Sequence, residues 1–104
     1  MNPKFFSLLG LAMRAGKVVS GEEQVMRAIR NHKVYLVIVA EDASVKTVKR
    51  IRDKGNFYGV PCMMAGTRQQ LGQAIGKPER VLLAVTDKGF AKALSQYDGV
   101  HFWG

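Results

Sequence analysis

Glu23, Gln24, Arg27, Arg30 and Asn31 are the polar positions of a segment whose apolar members, Val25, Ala28 and Ile29, recur at helical spacing. Glu23 and Arg27 are four apart, as are Arg27 and Asn31, and Gln24 and Arg27 are three apart. A helix therefore gathers these groups on one face. Together they offer a carboxylate acceptor, an amide that both donates and accepts, and guanidinium forks. That set can address guanine edges and phosphates at once. A helix start near Ser20 would add backbone N–H groups suited to a phosphate. Glu23 also has a purely local reading, because Ser20 and Glu23 stand at capping-box spacing.

The bulk composition narrows what such a face could meet. Sixteen Lys and Arg against eight Asp and Glu leave a formal charge of +8, which favours a polyanion: RNA, DNA or an acidic membrane surface. At 47% hydrophobic residues, 104 residues can bury a real core, and the length suits one domain spanning 1–104. Charged residues interrupt every apolar run well before the ~18 needed to span a membrane, and the N-terminus lacks a signal-peptide pattern. The lone cysteine, Cys62, permits no internal disulfide and fits a reducing cytoplasm.

Catalytic signals are weak. Gly16-Lys17 would suit the end of a phosphate-binding loop, but Leu11 and Val18 occupy positions that need Gly and Ser or Thr. His32 and His101 belong to no ligand cluster, and Cys62 sits in an apolar strand as an inert core thiol. No pair of carboxylates stands out as an acid/base couple. The expectation is a non-enzyme without cofactor or metal.

The elements that must position the polar face alternate between helix and strand. Pro3 opens a first helix with Phe5, Phe6, Leu8, Leu9 and Ala12 as its apolar stripe, stopping at Gly16. Lys17–Val19 reads as a short strand. Tyr35–Ala40 is a nearly continuous apolar run, the mark of a strand covered on both faces. Asp42 or Ser44 caps the next helix, whose Val45, Val48 and Ile51 face inward and which Gly55 ends. Val60–Ala65 is a strand interrupted by Pro61, Thr67 caps a helix through Ile75, Val81–Val85 is a buried strand, and Asp87 starts a last helix to about Ser95. This order predicts an α/β fold, a three-layer α/β/α sandwich with a mixed sheet of about four strands.

Four stretches carry a family resemblance: Gly21-Glu22-Glu23-Gln24-Val25-Met26-Arg27-Ala28, Leu36-Val37-Ile38-Val39-Ala40-Glu41-Asp42, Gly59-Val60-Pro61 and Leu71-Gly72-Gln73-Ala74-Ile75-Gly76. From about Leu8 to Leu94 the chain resembles the kink-turn-binding ribosomal proteins of the L-seven-Ae and L-thirty-e type, and within them the bacterial YlxQ branch. The resemblance implies a non-catalytic domain that recognises a bent RNA duplex at a three-nucleotide bulge beside sheared G·A pairs. A kink exposes edges that the deep groove of regular A-form RNA withholds.

By the same resemblance Gly21 matches the motif glycine and Glu22 its variable position. Glu23 stands where Asn is usual, Gln24 where Glu is usual, and Arg27 where Lys is usual. Arg30 extends the face. Ala65, Gly66, Thr67 and Arg68 correspond to the loop that packs on the flipped-out bulge nucleotide, and Val48 to a residue lining the same pocket. The departures have physical consequences. Glu23 brings a negative charge towards RNA unless it accepts from guanine, Gln24 is a weaker acceptor than a carboxylate, and Arg27 gains a fork. The implied partner is structured RNA with a kink-turn, with ribosomal RNA or a riboswitch as candidates and ribosomal proteins as further candidates. The protein is expected to act as a monomer.

Two other readings compete. Lys46, Lys49, Arg50 and Lys54 could bind phosphates without reading a kink. The aromatic tail, with Tyr97, Phe102 and Trp103, could serve a protein partner, or fold back as an edge strand over the core.

Overall fold

The structure, a computed structural model, describes residues 2–97 and 99–103, with Phe102 and Trp103 described by their backbone alone. Five helices alternate with five strands: α1 Pro3–Arg14, β1 Val18–Ser20, α2 Glu22–Arg30, β2 Leu36–Val39, α3 Val45–Tyr58, β3 Cys62–Met64, α4 Arg68–Ala74, β4 Leu82–Val85, α5 Lys88–Ser95 and β5 Val100–Trp103. The sheet runs β1-β4-β2-β3-β5. Only β2 and β3 pair in parallel, and β1–β4, β4–β2 and β3–β5 are antiparallel.

The apolar run Tyr35–Ala40 becomes β2 at the sheet's centre, where all four strand residues are buried. Alternation splits it between two cores. Leu36 and Ile38 join Phe5, Leu9, Leu71, Leu83 and Leu94 under α1, α4 and α5. Val37 and Val39 join Val25, Met26, Ile29 and Ile51 under α2 and α3. The result is the expected α/β/α sandwich. The sheet has five strands rather than about four, because the tail pairs with β3. Its fold-back as an edge strand is therefore observed. Tyr97 turns inward onto Phe5, ring centroids 6.0 Å apart. The expected aromatic surface at Phe102 and Trp103 lies outside the described side chains.

Three local expectations change. Gly55 does not end α3: it lies inside the helix, buried, because a Cβ there would come within 2.9 Å of Cys62 Sγ. The helix stops at Gly59, which adopts the left-handed conformation at φ 70°. Val45 does not face inward but stands 86% exposed at the first position of α3, outside both core clusters. Ser20 does not cap α2: it ends β1, and Gly21 is the N-cap with no side-chain hydrogen bond.

Candidate nucleic-acid interface

The strand register places the ends of β1, β2 and β3 and the beginning of β4 on one edge, with Ser20 opposite Leu83, and Val39 opposite both Leu82 and Met64. Helices α2, α3 and α4 follow those three strands directly, so their N-termini open onto that edge. Each presents N–H groups unmatched within the helix, and anions are stabilised there. Two of the three ends are closed by side chains. Ser44 Oγ accepts from Thr47 N at 3.1 Å. Thr67 and Gln70 form a full capping box, at 3.1 and 2.9 Å. The α2 end has no such cap.

Gly21 makes that opening possible. Its φ of 97° lies in the region only glycine adopts freely. A Cβ there would also come within 2.7 Å of Gln24 Oε1, so the Gln24 amide lies over the start of its own helix. Val25, Met26 and Ile29 bury the other side of α2. Glu23, Gln24, Arg27 and Arg30 are all exposed and have no side-chain hydrogen bond or ion pair among the described residues. Their donors and acceptors stand ready for a ligand. Arg27 lies about 7.5 Å along the axis from Glu22, at ~1.5 Å per residue.

Beside this face is a cavity of about 340 Å³, lined by Gly21, Glu22, Ser44, Thr47, Arg68 and the segment Glu79–Leu82. That volume is at the small end of ligand sites and suits one nucleotide. Two arginines are held at it. Arg68 Nη2 donates to Asp42 O at 2.6 Å, its Nε lies 3.5 Å from Asp42 Oδ2, and its backbone N–H donates to Asp42 Oδ1 at 2.9 Å. Arg80 Nε donates to Ser20 Oγ at 3.3 Å and its Nη1 to the carbonyls of Pro78 and Glu79. Arg80 N also donates to Arg68 O at 3.0 Å, tying the two together. Glu22 reaches Arg50 at 3.1 Å. Both partners are about half exposed, so that pair orients more than it stabilises.

Gly21, Glu22 and Arg68 of the expected set thus line the cavity, and Glu23, Gln24, Arg27 and Arg30 occupy the helix face beside it. Ala65, only 1% exposed, is core, and Gly66 is buried beneath the Phe6 ring. The Thr67 hydroxyl is consumed by capping. Val48 packs half-buried against the α2–α3 core, and Thr47 lines the cavity in its place. Sequence reasoning missed Arg80. Arg80 carries no local signal, because its site partner Ser20 is sixty positions away.

Elsewhere the chemistry is quiet. Burial pushes the Cys62 thiol up to about 12, leaving it protonated at neutral pH. Among the described residues no group of three or more His, Cys, Asp or Glu could hold a metal, and no helix is long and apolar enough to cross a membrane.

A three-layer sandwich with three helix N-termini on one edge and a basic face beside a nucleotide-sized cavity defines a class of protein. The chain belongs to the Ribosomal protein L7Ae/L30e/S12e/Gadd45 family, whose model matches residues 4–95. Within it the chain is similar to the RNA-binding protein YlxQ of Bacillus subtilis, 53% identical over 91 residues, covering 88% of this chain and 91% of that protein. A Bacillus halodurans protein of unknown function superposes with a TM-score of 0.87 at 48% identity, over 90% of this chain and 95% of that one. The Giardia lamblia 15.5kD RNA binding protein shares the fold at a TM-score of 0.77 and 18% identity, over 90% and 87%.

Proposed function

We propose that this protein binds RNA without catalysis, and that the RNA element it reads is a kink-turn. The observation that carries the reading is the uncapped N-terminus of α2 with its unpaired face, Glu23, Gln24, Arg27 and Arg30, beside a cavity sized for one nucleotide. In this reading Gln24 and Arg27 meet the sheared G·A edges, and Arg27 and Arg30 neutralise phosphates. The flipped-out bulge nucleotide enters the cavity against Arg68 and Arg80. Exposed Val45 adds apolar cover at the same edge. The YlxQ relative, named as RNA-binding, supports the broader half of the proposal. A structured cellular RNA in the cytoplasm is the partner this reading implies, and the free Cys62 thiol is compatible with that compartment.

Phosphate binding by α3 alone is the weaker reading. Lys49 lies 3.6 Å from Asp53, and Arg50 is held by Glu22, so two of the four cations that reading names, Lys46, Lys49, Arg50 and Lys54, already face carboxylates. Arg27→Ala tests the stronger one. It should weaken kink-turn binding by ~1–3 kcal/mol, the usual worth of a bidentate base contact, in an electrophoretic or calorimetric titration. Unchanged affinity would remove Arg27 from the site and the proposal with it.

A further inference from the structure

The opposite edge of the sheet has a different chemistry. There β2 begins and β4 ends, with Leu36 opposite Val85. A second cavity of about 410 Å³ opens between the start of β2, Pro61 and α5. Its lining is mostly apolar, and its only charged members among the described residues are Lys88 and Lys92, both exposed on α5. Tyr35, also in the lining, is 46% exposed.

At the same edge, on the α2–α3 side of the sheet, stand three further rings. Phe57 and Tyr58 end α3 with centroids 4.9 Å apart, and His32 meets Tyr58 edge-on at 5.6 Å. Phe57 is 80% exposed. His32 adopts φ 57°, the left-handed position that Gly16 and Gly76 fill after α1 and α4. A non-glycine residue accepts strain there. The carboxylate closest in sequence to the lysines, Asp87, accepts from Phe90 N at 2.9 Å as the cap of α5.

An exposed ring beside two cations, on an apolar cavity with no lining carboxylate among the described residues, has the composition that unpaired nucleic acid uses: a base stacks on the ring and phosphates meet the cations. We propose that this edge is a second RNA surface that holds unpaired nucleotides, separate from the kink-reading edge. A base stacks on Tyr35, and Lys88 and Lys92 neutralise the phosphates. The two surfaces lie at opposite ends of α2 and α3 on a molecule whose longest extent is 30 Å. A single strand leaving a bound duplex could therefore be caught by the same protein. This inference takes RNA as the ligand from the functional reading above but does not need kink-turn specificity.

The test uses the full chain, a short labelled oligouridylate and a blunt-ended kink-turn duplex, followed by fluorescence anisotropy. Wild type should bind the oligouridylate. K88E/K92E should weaken it by about tenfold and flatten its salt dependence by ~1.4 in log–log slope, the release expected for two single-strand phosphates. K88R/K92R should keep binding, and Tyr35→Ala, at a half-exposed site, should weaken it by about fivefold. None of these changes should alter affinity for the blunt duplex, and Arg27→Ala should spare the oligouridylate. The inference is overturned if wild type does not bind the oligouridylate, if K88E/K92E binds it as wild type does, or if the variant loses the duplex equally. Failure of the kink-turn reading looks different: the oligouridylate is bound through Lys88 and Lys92 while bent and straight duplexes bind alike.

Discussion

The two edges of the sheet are built from the same helices and strands, yet they present opposite surfaces. At one edge α2, α3 and α4 begin, and the surface is polar: open N–H groups, an unpaired helix face and two arginines fixed by hydrogen bonds. At the other edge α2 and α3 end in rings, and α5 carries two exposed lysines on an apolar cavity with Tyr35. The first edge has fixed geometry, which suits reading a shaped ligand. The second has flat ring faces and exposed lysines, which suit a flexible one. Chain direction accounts for much of the division, because strands that run the same way deliver their following helices to one side.

That contrast can be broken first at the polar edge. Gly72 of α4 packs so tightly on the Pro78–Glu79 backbone that a Cβ would overlap the Pro78 carbonyl oxygen. Gly72→Ala should therefore push the Arg80 segment away from the cavity and cost about 3 kcal/mol of stability, as overpacking against backbone does. Thermal unfolding would measure this. The same change should leave oligouridylate binding intact at temperatures where the protein stays folded. Thr67→Ala removes the capping box of α4 and should cost ~1 kcal/mol in denaturant unfolding, without touching the ring edge.

The smallest effect lies at the ring edge. His32 N–H and Lys33 N–H bond back to Ile29 O and Ala28 O, a C-terminal cap usually completed by glycine. His32→Gly relieves left-handed strain of ~1–2 kcal/mol but adds ~0.5–1 kcal/mol of chain entropy to the cost of folding. A net gain of about 0.5 kcal/mol in denaturant unfolding is expected. A loss would mean that the His32–Tyr58 contact outweighs the strain.

Much of the fold was legible because its signals are local. The apolar run around Val37, the caps at Ser44, Thr67 and Asp87, and the stripe of Phe5, Leu9 and Ala12 are all contained within a few neighbouring residues. The errors fell where a distant partner decides. Ser20 has the type and spacing of a cap, but Arg80 engages its hydroxyl and Gly21 takes the N-cap position. Gly55 looks like a stop, but the approach of Cys62 makes it an interior residue. The expected strand count falls one short of the observed five, although the tail's fold-back as an edge strand is among the readings; that its partner is β3 is a contact no local pattern announces. In the candidate site the α2 face was readable by periodicity. Arg80 was not, since β4 becomes the neighbour of β1 only when the sheet is assembled.

The central claim is that the edge where α2 begins reads the shape of an RNA kink. The direct measurement is the affinity of the wild-type protein for a kink-turn duplex and for the same duplex with its G·A pairs replaced by Watson–Crick pairs, at one salt concentration. The account predicts that the kink-turn binds tighter by about tenfold or more, the ~1.4 kcal/mol that one good base-edge contact supplies. Equal affinities would contradict it.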